Sequence, residues 1–188
     1  MAKRPKEQKC RACGNYFIKT WSTTQVVCSV KCAIVIGKKK AEEKRKKQDK
    51  ADRLQRKERL QALKNRADWL KDLQTVFNKF IRLRDKDLPC ISCGRHHSGQ
   101  YHAGHYRSVG ACPELRFDEL NVHKQCSVCN NHKSGNITDY RINLVRKIGT
   151  EEVERLDQHN HPPLKLTIDE IKDLIKVYKA KVKELERG

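Results

Sequence analysis

Two Cys-x-x-Cys pairs, Cys90/Cys93 and Cys126/Cys129, bracket the stretch CISCGRHHSGQYHAGHYRSVGACPELRFDELNVHKQCSVCNNHKSG and restrict the possible folds more than any other feature of the chain. Pairs about thirty residues apart can supply the four thiolates of one tetrahedral zinc, each pair turning through a tight knuckle so that both sulfurs reach the ion. The zinc would then pin together the ends of everything enclosed. Between or just beyond the pairs stand His102, His105, Asn121, Asn130 and His132.

A second quartet, Cys10, Cys13, Cys28 and Cys32, lies in CRACGNYFIKTWSTTQVVCSVKC. Tyr16, Phe17 and Trp21 between its pairs suit the short hairpin of a zinc ribbon or treble-clef knuckle. So short a segment has too few apolar residues to fold without metal. Ribbons of this kind bind nucleic acid or protein, and the sequence does not choose. The ninth cysteine, Cys112, is read as a free, structurally incidental thiol.

Composition agrees with small units held by metal. In 188 residues, 37% are hydrophobic and 35% charged, too polar a mixture for one large core. The formal charge is +19, and two four-thiolate zinc sites at −2 each would leave about +15. Such a balance points to a polyanion, nucleic acid before membrane, because no long apolar run occurs. The opening MAKRPKEQKC has no apolar core of a secretory signal. A cytoplasmic location is therefore expected, where paired cysteines ligate metal rather than form disulfides.

Along the chain, the expected units are an N-terminal four-cysteine zinc ribbon (1–36), a long basic helix (37–88), a zinc-stapled core (89–149) and C-terminal helices (150–188). The fold class is α+β, mostly helical. From Gly37 onward the chain is rich in helix formers up to Leu88 and Pro89. Its first half is a solvated basic arm; Leu60, Leu63, Ala67, Leu70, Leu73, Phe77 and Phe80 give the second half a docking stripe, with a two-chain coiled coil as the competing use. A first strand is expected over 100–107, a return strand over 115–117, and a helix from Asn130, interrupted near Gly135. Thr150 is expected to cap a helix over 151–156. His159 and His161 are placed in an exposed loop, and Thr167 with Glu170 has capping-box spacing for a last helix.

The order His105, Asn121, Asn130 resembles the ββα-metal motif of HNH endonucleases, in the HNN form found with a four-cysteine zinc. The runs LPCISCG, AGHYRS and LRFDELNVHKQCSVCNNHKSGN, with the cysteine-bearing N-terminus and the basic helix, look like the phage lambda NinG (Rap) family of recombination nucleases. That resemblance implies phage or prophage origin, a bacterial host cytoplasm, and branched DNA such as Holliday junctions or D-loops as substrate. It further implies His105 as general base, Asn121 as the residue orienting loop and ring, and Asn130 as an oxygen ligand to a catalytic Mg²⁺ or Mn²⁺. Many HNH enzymes carry a ligand directly before the base, where this chain has Gly104, so His102 and His132 stand in as candidate ligands. The two zinc ions would be structural, since four cysteines leave no open position. Arg107, Arg116, Lys124 and Lys133 are the candidate phosphate contacts, and each could equally be a solvated charge. His96, His97 and His123 are given surface or supporting roles.

DNA is the expected partner, with a homodimer and recombination proteins as further candidates. Two other readings remain at this point: a non-catalytic zinc module that binds DNA, and an RNA-binding zinc protein.

Overall fold

A computed structural model of the chain, α+β in class, describes residues 7–187. Residues 1–6, on which the expected lack of a secretory signal partly rests, lie outside that range. The chain divides into two units, Met1–Leu63 and Lys64–Gly188.

In the first unit, β1 (Glu7–Lys9) and β2 (Tyr16–Ile18) form an antiparallel hairpin. Helix α1 (Val30–Ala62) begins on the second cysteine pair, earlier than the expected start after Gly37. The reason is local: Ser29 is in extended backbone and its hydroxyl accepts from the Cys32 N–H at 3.3 Å, an N-cap that starts the helix on the knuckle. Helix α1 buries no residue, so it rests on propensity and on pairs such as Glu42–Lys46.

The second unit opens with α2 (Arg66–Arg84). The single long helix expected here is in fact two. Helix α1 ends at a C-cap on Leu63, and then Asn65 accepts from the Asp68 N–H while Asp68 accepts from the Asn65 N–H, a reciprocal capping box that starts the next helix. Leu60 and Leu63, assigned to the docking stripe, are exposed; the buried stripe is Leu73, Phe77, Phe80 and Ile81. It packs against α5 (Ile168–Leu185), whose Ile171, Ile175, Tyr178 and Val182 complete the core with Val122. Helix α5 carries the expected Thr167–Glu170 capping box.

Strand β3 (Tyr101–His105) pairs antiparallel with β4 (Val122–Cys126), His105 opposite Val122. The return strand is thus later than the expected 115–117, where Pro113–Leu115 forms a 3₁₀ turn. Polar VHKQC does not read as a buried strand, yet all five residues of β4 are buried. Partners from elsewhere meet most of their polar groups: Asp85 accepts from the Lys124 N–H, the Lys86 carbonyl from Lys124 Nζ, and Ser92 from Gln125 Nε2. After Cys126 a single π-helical turn, Val128–His132, replaces the helix expected at Asn130, and α3 (Ile137–Ile148) follows. Gly149, not the side chain of Thr150, precedes α4 (Thr150–Asp157). Helices α3 and α4 bury Tyr140, Leu144, Val153 and Leu156 with Tyr106, Leu115 and Cys112, so the odd cysteine is a core residue of this second cluster. Of the loop histidines, His159 is exposed and His161 half-buried. No helix among the described residues is long and apolar enough to cross a membrane.

Candidate active site

Both cysteine quartets gather as their spacing requires. In each, the four sulfurs lie within 4.8 Å of one another, consistent with one ion at about 2.3 Å from each thiolate. The two clusters use the same backbone device. Gly14 and Gly94 donate to the carbonyls of Cys10 and Cys90 at 3.0 and 2.8 Å, and both glycines have positive φ, which a side chain would oppose. Cys28 and Cys126 direct their N–H groups at the sulfurs of Cys10 and Cys90. Next to the second cluster, the His97 ring reaches Cys93 Sγ at 3.2 Å. Among the described residues, these quartets are the only groups of three or more His, Cys, Asp or Glu arranged to share an ion.

His105 closes β3 and faces an open cleft of about 880 Å³. Its Nε2 donates to the Arg116 carbonyl at 3.0 Å, which leaves Nδ1 as the lone-pair nitrogen of the neutral ring. Burial lowers the pKa of this histidine, and the nearby Arg116 charge adds to that effect against the carbonyl bond, which raises it.

Asn121 is fully buried. Its Oδ1 accepts from the Arg107 N–H at 2.8 Å, and its Nδ2 donates to the carbonyls of Arg107 and Leu115, both at 3.0 Å. One side chain thus joins the backbone two residues past His105 to the backbone one residue before the carbonyl that His105 uses. The imidazole is held from both ends.

Asn130, in the π-helical turn, lines the same cleft; its Nδ2 donates to Asn131, and no donor among the described residues reaches its Oδ1. Arg107 and Arg116 line the cleft too, and among the described residues no carboxylate does. Helix α2 contributes Gln74 and Asn78, which the sequence did not single out because polar residues four apart on an amphipathic helix look like its wet face. Gln74 accepts from Arg116 Nε at 2.7 Å and donates to Asn78, so this pair aims the guanidinium.

The other candidates are elsewhere. His102 lies three residues before His105 in a regular strand, and so on the opposite face. Its Nε2 is buried without a partner among the described residues, as is Oε1 of its cross-strand neighbour Gln125. His132 is exposed and does not line the cleft. Lys133 is exposed in a separate polar groove with Arg95 and Arg146. Lys124, expected on phosphates, is buried; its ammonium is bound to the Lys86 carbonyl and lies 4.4 Å from the centre of the Tyr101 ring. Gly104 is explained by packing, since any Cβ there would collide with the Gln125 side chain.

His123, taken for a surface or supporting residue, belongs to a buried polar network. It donates through Nε2 to the Leu120 carbonyl, and its Nδ1 lies 2.9 Å from both Arg84 and Lys147. Burial and those two cations hold its pKa down, against the pull of Asp85. Burial of Asp85, 2% exposed, raises its pKa; the His123 ring 3.6 Å away and the hydrogen bonds and charge of Arg84 more than offset this and leave its carboxyl well below the usual range. This network fixes the end of α2 to β4 and α3, and so holds the sheet that carries His105.

A family model described as Bacteriophage Lambda NinG protein matches residues 2–188. The proteins named "Protein ninG" of Escherichia phage lambda and Escherichia phage 933W are similar at 41% and 40% identity, covering 100% and 98% of this chain and 98% and 96% of the relatives. That of Salmonella phage P22 is 41% identical, covering 93% of each. No solved structure matches the chain.

Proposed function

We propose a function from one premise, that the chain belongs to the NinG family: it is a metal-dependent HNH-type endonuclease of a phage or prophage, cutting branched DNA during recombination. The observation that carries the reading is one cationic cleft lined by His105, fixed through Nε2, and by Asn130, with the buried Asn121 behind it locking the backbone on both sides of the histidine.

Phosphodiester hydrolysis needs a base for water and compensation for charge on the phosphorus oxygens. His105 Nδ1 takes the proton from the attacking water, and the Arg116 carbonyl stabilises the imidazolium that results. Arg116, aimed by Gln74, and Arg107 bind the phosphate flanks. Asn121 positions the base without touching the substrate. The Asn130 carboxamide oxygen is a hard ligand available in the cleft. A divalent ion held there would neutralise the phosphate and leaving oxygen. With no carboxylate in the lining, most of its remaining ligands must be DNA phosphates and water, a mode common for Mg²⁺, with Mn²⁺ as a substitute.

The test is cleavage of a labelled four-way junction beside a matched linear duplex, with and without Mg²⁺, by the wild type and by His105→Ala of full zinc content. Mg²⁺-dependent junction cutting that drops at least about a hundredfold in the variant, with binding retained, is the expected outcome. Equal cutting by His105→Ala, or binding without cutting under Mg²⁺ and Mn²⁺, would replace this reading with a non-catalytic DNA-binding zinc module.

A further inference from the structure

On the N-terminal unit, large side chains that would ordinarily close a small core stand in solvent. Tyr16 is 69% exposed, Trp21 64% and Ile18 45%. Strand geometry explains two of them: Tyr16 and Ile18 share the outer face of β2, while Phe17 is turned inward. Lys9 is the cross-strand partner of Tyr16. Trp21 is held in place by its backbone. The buried Gln25 accepts from the N–H groups of Thr20 and Trp21 at 3.0 and 3.2 Å and donates to the Val27 carbonyl at 2.8 Å, fixing the loop that carries the indole.

Exposed apolar groups collected on so small a module mark a contact surface. Charge narrows the occupant. Residues 7–63 hold sixteen Lys and Arg against six Asp and Glu, so the unit attracts polyanions. A polyanion that also offers flat apolar faces is a single-stranded nucleic acid, because a duplex keeps its bases stacked on one another.

We propose that the four-cysteine finger binds unpaired DNA, with Tyr16 and Trp21 as stacking platforms and the surrounding lysines on the phosphates. The choice of DNA over RNA rests on the nuclease reading above; the stacking does not. For a branched substrate, this gives the N-terminal unit the task of finding unpaired bases near a junction.

The experiment is fluorescence anisotropy of labelled oligo(dT), oligo(rU) and a matched duplex with the full-length protein, zinc content measured, and no added divalent ion. Tyr16→Ala and Trp21→Ala should each weaken oligo(dT) binding about tenfold while duplex binding stays in place, and Tyr16→Phe and Trp21→Phe should restore it. The proposal is overturned by a Tyr16→Ala/Trp21→Ala protein of full zinc content that binds oligo(dT) like the wild type, by equal loss on the duplex, or by tighter binding of oligo(rU). A wild-type dimer that the double variant converts to monomer overturns it as well, since the face would then be covered by a second copy. Binding is read without cleavage, so an inert His105 would sink the nuclease reading and leave this result standing.

Discussion

At the scale of the residue, His105 combines two effects that set the pH range of the proposed activity. Its Nε2 bond selects the tautomer, and its burial lowers the pKa from the ordinary value near 6.5. A lowered pKa keeps the neutral, proton-accepting form present in mild acid, so the acid limb of kcat/KM for junction cleavage should fall below pH 6.5; a limb at or above that value would rule His105 out as the base. The same shifts act on stability. His105 and His123 bind protons less readily folded than unfolded, so the second unit should lose stability as pH drops below about 6.5, with Asp85 adding its loss only below the ordinary carboxylate value near 3.9. Chemical denaturation followed across pH 4 to 8 reads this directly, and a flat profile would contradict the assignment. His105 and Asn130 stand out in the sequence because their order with Asn121 resembles the HNH pattern, and that resemblance alone suggests base and ligand. Gln74 and Asp85 do not, since their importance lies in which side chains tertiary packing brings against them.

At the scale of the element, the break between α1 and α2 separates an arm from a core. The two helices are alike in local propensity, but α2 buries a stripe and α1 buries nothing. Asn65 and Asp68 mark the boundary, a signal present in the sequence but masked by continuous helix formers on both sides. Asn65→Ala should cost about 1 kcal/mol in the unfolding free energy of the second unit, as loss of an N-cap does; a change near zero would mean that α2 is positioned by packing alone. The polar strand β4 shows the converse. Its alternation could not be read because its polar side chains are buried with partners supplied by Asp85, Lys86 and Ser92, across sequence separations of 39, 38 and 33 residues that close only in the folded chain.

At the scale of the whole molecule, metal and charge govern. We expect two zinc ions per full-length chain by native mass spectrometry, and one after Cys10→Ser, with the helical signal of the α2–α5 core kept. Two ions remaining in Cys10→Ser would contradict the assignment of the first quartet. The sequence by itself determined the two cysteine quartets, the excess of positive charge, the apolar stripes of α2 and α5, and the family to which the chain belongs. Those features are written in short-range spacing and composition, which each stretch of chain carries without its neighbours. Only the tertiary structure decided that β4 is a strand, that Lys124 and His123 are buried, that His102 faces away from His105, and that Gln74 aims Arg116 into the cleft. Each of these depends on partners distant in sequence, and the cost of burying a polar group changes sign once such a partner satisfies it.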